Sequence, residues 1–206
     1  MPINRSITKR ISSAAAAGAG ALVLLTACNS GSPPGQAAPP IGDVANMATT
    51  QPGASFNDAD VMFAQMMIPH HEQAVEMAEL AETRASDPEI KELATKIKDA
   101  QAPEIKTMRG WLEEWGKPEP TGMGHMDHGM PGMMSAEDMD KLKDAKGAAF
   151  DKQFVRMMIA HHEGAIHMAE IEQAQGQNPD AKELAKSIAA SQQAEIEQMR
   201  TIQNRL

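Results

Sequence analysis

The feature that most constrains this chain is a duplication. The stretch opening Asp60-Val-Met-Phe-Ala-Gln-Met-Met-Ile-Pro-His-His-Glu returns as Asp151-Lys-Gln-Phe-Val-Arg-Met-Met-Ile-Ala-His-His-Glu. The copies lie 91 positions apart and align without a gap through Arg109 and Arg200. Roughly half the positions are identical, so one supersecondary unit occurs twice, over about 57–115 and about 136–206.

Each unit reads as a pair of helices. Phe63, Met67, His70, Ala74, Met77 and Ala81 alternate steps of four and three, the spacing of one helix face. Asp87-Pro88 supplies an N-cap and a first-turn proline for a second helix, whose stripe is Ile90, Leu93, Ile97, Gln101, Ile105, Met108 and Leu112. Asn178-Pro179 repeats the cap, followed by Ala181, Leu184, Ile188, Gln192, Ile196 and Met199. No segment shows β alternation. Two hairpins with matching apolar faces predict an all-α protein, an antiparallel four-helix bundle. Ser135-Ala-Glu-Asp138 reads as a capping box opening the third helix, which either runs long or breaks near Gly147.

The N-terminus predicts the compartment. Arg5, Lys9 and Arg10 precede an apolar, Ala-rich stretch from Ile11 to Leu25, the layout of a secretory signal and too short for a good membrane span. It ends in Leu25-Thr26-Ala27-Cys28, which resembles the bacterial lipobox and holds the chain's one Cys. The expectation is a signal peptide over 1–27 and a lipid anchor at Cys28, on the outward-facing membrane surface of the cell envelope. An ordinary secretory signal with an incidental Cys is the alternative. Residues 28–55, rich in Gly, Ser, Pro, Ala and Gln, read as a disordered tether to a folded domain over 56–206.

Composition excludes several functions. A net charge of −9 and 3% aromatic residues argue against a nucleic-acid partner. One Cys excludes a disulfide framework or a cysteine-rich zinc site. No Ser/His/Asp, Gly-rich phosphate-loop or cysteine-pair motif supports a hydrolase, a kinase or a thiol enzyme. Methionine, with 17 residues, is the outlier.

Two groups of residues carry candidate chemistry. His70-His71-Glu72 and His161-His162-Glu163 put imidazoles mid-helix on a stripe otherwise made of Phe, Met and Ala. Met67 and Met158 stand one turn before His71 and His162. Folding back at residue 86 brings Gln101 and Glu104 to the height of the first imidazoles, and Gln192 and Glu195 to that of the second. So many buried polar groups need partners: a metal ion, or a His–Glu hydrogen-bonded network. Met66, Met67 and Met77, with their counterparts Met157, Met158 and Met168, read equally as ligands or as core filler.

The second group is the loop 117–134, with Met123, His125, Met126, His128, Met130, Met133 and Met134 on a Gly-rich backbone. Thioether and imidazole donors suit Cu(I) and Ag(I) far better than Mg or Ca. Methionine also avoids the disulfide chemistry that disables Cys ligands outside the cytoplasm. A linker of biased composition is the plainer reading.

The duplicated Met-Met-Ile-x-His-His-Glu, followed by Ala-x-x-Met-Ala-Glu, resembles bacterial domain-of-unknown-function family 305 over about 57–206. The resemblance implies a ferritin-like four-helix bundle in an envelope protein and, for some members, copper binding linked to copper resistance. It marks His70, His71, Glu72, Met77, His161, His162, Glu163 and Met168 as signature positions. The expected function is capture, buffering or delivery of Cu(I) or Cu(II), without catalysis, to a copper transporter or cuproprotein. A ferritin-like enzyme with two iron or manganese ions is the alternative. It fits less well, because Val75 and Ile166 stand where Glu-x-x-His would place its histidines. A Met-rich protein-interaction module is a third reading.

Overall fold

The computed structural model describes residues 55–120 and 130–206, and every regular element among them is helical. The elements are α1 (Asp58–Arg84), α2 (Pro88–Glu114), α3 (Ala136–Asp144), α4 (Ala148–Gln175) and α5 (Pro179–Gln203). Cys28, Met123, His125, Met126 and His128 lie outside the described residues. No helix among the described residues is long and apolar enough to cross a membrane.

Helix starts follow the sequence. The Asn57 side chain accepts the Ala59 and Asp60 N–H groups, and Asp87 accepts that of Glu89 ahead of Pro88. Asn178 takes Asp180 and Ala181, and Ser135 takes Asp138. Each satisfies backbone donors that a helix N-terminus leaves unpaired. The third predicted helix does break near Gly147, giving five helices. Gly147 sits at φ 60 and donates its N–H to Arg84 O at 2.8 Å, a left-handed bend that glycine adopts without strain.

α1 packs along α2 and α4 along α5, while α1 against α4 joins the halves. A pair of buried carboxylates ties the halves reciprocally. Asp60, at the start of α1, accepts the Gln177 and Asn178 N–H groups from the α4–α5 turn. Asp151, its repeat counterpart on α4, accepts the Ser86 and Asp87 N–H groups and the Ser86 hydroxyl from the α1–α2 turn. Each hairpin's first helix thus satisfies the other hairpin's turn.

The core falls into two apolar clusters. One contains Met77, Ile90, Leu93, Phe154, Met158 and Met199, capped by Met139 and Leu142 of α3. The other contains Phe63, Met67, Met108, Leu112, Met168 and Ile188. Residues 70–71, 101–104, 161–162 and 192–195 fall between them along all four long helices, as a polar layer.

Candidate metal centre

His70, His71, His161 and His162 are all fully buried. The repeat sets two of them in equivalent places. His71 Nε2 lies 2.8 Å from Glu104 Oε2, and His162 Nε2 lies 2.6 Å from Glu195 Oε2. A carboxylate can only accept, so each Nε2–H donates, and in the neutral ring that leaves the lone pair on Nδ1. His70 and His161 meet across α1 and α4, ring centroids 3.7 Å apart and planes tilted by 38°. All four imidazoles are buried, and one ring of each pair, His70 and His161, meets the other at one height.

Five ring nitrogens find no hydrogen-bond partner among the described residues: Nδ1 of all four imidazoles and Nε2 of His161. The Gln101 amide and Gln192 Oε1, buried at the same height, are also unpartnered. Each orphaned buried polar group costs about 1–3 kcal/mol. Burial, reinforced by neighbouring imidazoles, pushes His70 down to about 3 and His161 well below the usual histidine range. Both rings are neutral at physiological pH and open to a cation.

The turn Pro131-Gly132 closes this layer on one side. His70 Nε2 donates to Pro131 O at 3.1 Å. Buried Gln73 grips the same segment twice, through its amide N–H to Met134 O at 2.9 Å and its carbonyl from Met134 N at 2.7 Å. On α4 the counterpart of Gln73 is Gly164, where an added Cβ would stand 2.0 Å from Pro131 O. At Gly132, with φ 78, an added Cβ would stand 2.6 Å from Ala160 O and 2.9 Å from His161 O. Gln73 was missed from the sequence. The signal was a Gln opposite a Gly inside an otherwise matched stretch of the repeat.

The remaining sequence candidates separate. Glu72 and Glu163 do not join the layer: they face outward to Arg109 at 2.5 Å and Arg200 at 3.0 Å. Their place follows from helix geometry, since two steps of about 100° carry Glu72 and Glu163 roughly 200° round the helix from His70 and His161, off the core face. Met67 and Met168 pack in one apolar cluster, Met77 and Met158 in the other. Met130, Met133 and Met134 are half-buried at the α1–α4 face. Among the described residues no group of three or more His, Cys, Asp or Glu is placed to hold a metal ion. Glu104 and Glu195 each serve their own histidine instead of bridging toward one another, so the layer lacks the shared carboxylates of a di-iron or di-manganese centre. What it offers is buried, unpartnered ring nitrogens.

A family model described as Domain of unknown function (DUF305) matches residues 60–203. A putative secreted DUF305 protein of Streptomyces coelicolor has a solved structure similar to this one, with 36% identity and a TM-score of 0.63 over 68% of this chain and 89% of that one. CopM in a Cu(II)-bound form is similar at 40% identity and a TM-score of 0.63, covering 71% of this chain and 96% of that one. CopM has also been solved in Cu(I)-bound, Ag-bound and apo forms. The uncharacterized protein L153 of Acanthamoeba polyphaga mimivirus is 42% identical over 55 residues, 27% of this chain and 36% of that protein.

Proposed function

Because this chain belongs to the DUF305 family over residues 60–203, we propose that it is a copper carrier of the cell envelope, taking Cu(I) as cargo in the histidine layer. One observation carries the reading: His71 and His162, each anchored through Nε2 by a carboxylate, keep unpartnered buried Nδ1 atoms. Histidines that ligate metals are commonly oriented by such a carboxylate on the other ring nitrogen, which also raises their basicity. Cu(I) accepts as few as two nitrogen or sulfur donors, so it needs no carboxylate cage. CopM, at 36–40% identity and solved with Cu(II), Cu(I) and Ag, supports the same choice.

The proposed scaffold is a four-helix bundle of α1, α2, α4 and α5 over 56–206. The signal peptide (1–27), the lipid anchor at Cys28 and the tether (28–55) would hold it outside the membrane, where a soft ion is met first. The secreted Streptomyces relative supports that side of the membrane. The thioethers and imidazoles of Met123, His125, Met126, His128, Met130, Met133 and Met134 would capture Cu(I), and ligand exchange would pass it inward. A copper transporter or cuproprotein would receive it. Cu(II) binding is the looser form of the same role.

The test is competition for Cu(I) against a chromophoric chelator under reducing conditions. Glu104→Gln and Glu195→Gln are expected to weaken binding about 10–100-fold, as for other residues that orient ligating histidines. His71→Ala with His162→Ala should remove it. A protein that fails to displace even a weak chelator would end this reading.

A further inference from the structure

The two ends of the α1–α4 face are related by the repeat but finished differently. At one end Met77 and Leu80 of α1 share an apolar cluster with Phe154 and Met157 of α4. Helix α3 closes that end, with Met139 and Leu142 in the same apolar cluster and Lys143 paired to Glu76 at 2.9 Å. At the other end nothing plays the part of α3 among the described residues. A cavity of about 290 Å³ remains there, lined by Met62, Met66, His167, Met168 and Glu172, with Pro131 at its edge.

The substitutions between the two ends have a chemical direction. Met66 and Met168 correspond to Met157 and Met77, so a core pattern common to both copies explains them. Met62 and His167 correspond to Gln153 and Glu76, so duplication of a core does not explain those. Met62 is 58% exposed, one of two large apolar side chains so exposed among the described residues, and it lies on the cavity wall. Met62 and Met66 stand one helical turn apart on α1, opposite adjacent His167 and Met168 on α4. No Lys or Arg is among the lining residues, while Asp58 adds negative charge at the rim.

From this arrangement we infer a second soft-cation site, in which the Met62, Met66 and Met168 thioethers and the His167 imidazole bind Cu(I) or Ag(I) in the open α1–α4 groove. The donors are the soft set that selects these ions over Mg, Ca or Mn. The site is separate from the histidine layer, and its copper assignment rests on the function proposed above. Pro131, which lines this groove, also accepts the His70 Nε2–H at the edge of the layer.

Ag(I), which does not change oxidation state, tests the site on the full chain carrying 13C-methyl methionine and 15N-imidazole histidine. The expected result is that the Met62, Met66 and Met168 methyl signals and the His167 ring nitrogens shift together. Met62→Gln with His167→Glu, the residues of the other repeat, should abolish those shifts and leave the His71 and His162 responses intact. Both positions are exposed, so this variant keeps the core. If the groove signals stay still while the layer responds, the second site is wrong and the copper reading survives. If neither responds, both fall.

Discussion

The two repeats keep the same polar layer and differ where a single connecting segment must dock. Both hold a buried Asp that caps the opposite turn, a His–Glu pair spanning 33 positions and an outward Glu–Arg pair spanning 37. They part company at Gln73 and Gly164. One segment, 130–134, crosses a near-symmetric face and cannot be bound the same way by both sides. The first repeat grips its backbone with an amide, and the second leaves room for it. The same break in symmetry leaves His70 with a carbonyl partner and His161 with none. Duplication therefore built the layer, and divergence built the lid over it.

Exchanging these residues breaks the comparison most directly. Gly164→Gln drives a side chain into the Pro131 carbonyl and should cost about 3 kcal/mol, at the upper end of overpacking effects. Gln73→Gly removes two hydrogen bonds to Met134 and adds helix entropy, and about 2 kcal/mol is expected. Urea denaturation measures both, and limited proteolysis at 130–134 should accelerate in each. Equal, small losses with an unchanged cleavage rate would mean that the segment is not clamped.

A pH series comes next in size. His70, pushed down to about 3, binds its proton far less readily when folded than when unfolded. Its contribution is therefore complete above about pH 6.5 and is lost progressively as pH falls toward 3. Glu172 runs the other way. Burial, and the Asp60 carboxylate beside it, push it up to about 8, so its contribution is present below about pH 4.5 and lost as pH rises through 8. Its counterpart is Ala81, which places this alkaline loss in one repeat. Glu172→Gln should flatten the alkaline side of a Tm-against-pH curve and leave the acid side, set by the imidazoles, unchanged. Cu(I), which requires neutral rings, should move the acid limb to lower pH.

Local signals made most of the scaffold legible. Asp87-Pro88, Asn178-Pro179 and Ser135 through Asp138 mark helix starts by chemistry confined to one turn. The period of apolar residues marks the buried face through Leu112 and Met199. Glu104 and Glu195 were found by counting back across a hairpin, because antiparallel helices fix height. What escaped depends on long-range packing. The Asp60 and Asp151 contacts cross between hairpins, and no spacing within one repeat points to them. Glu72 and Glu163, signature positions by resemblance, pair outward with Arg109 and Arg200, a placement that the motif alone does not give. On a helix, the residue two positions on lies about 200° round the axis.

That last distinction yields the smallest and most discriminating prediction. Glu72 and Glu163 are 38% and 54% exposed in their pairs with Arg109 and Arg200. Solvent screens such pairs, which contribute about 0–1 kcal/mol. Glu72→Gln and Glu163→Gln should therefore leave the denaturation midpoint nearly unmoved and Cu(I) competition unchanged, although both residues belong to the repeated His-His-Glu. Glu104→Gln, distant in sequence from the motif, should weaken the ion. Copper affinity that instead falls with Glu72→Gln and holds with Glu104→Gln would show that the ion sits on the outer face of the helices, reached by Glu72 and not by the buried Nδ1 atoms. The two charge-neutralising variants make the same change, carboxylate to amide, so only their position relative to the layer can separate their effects.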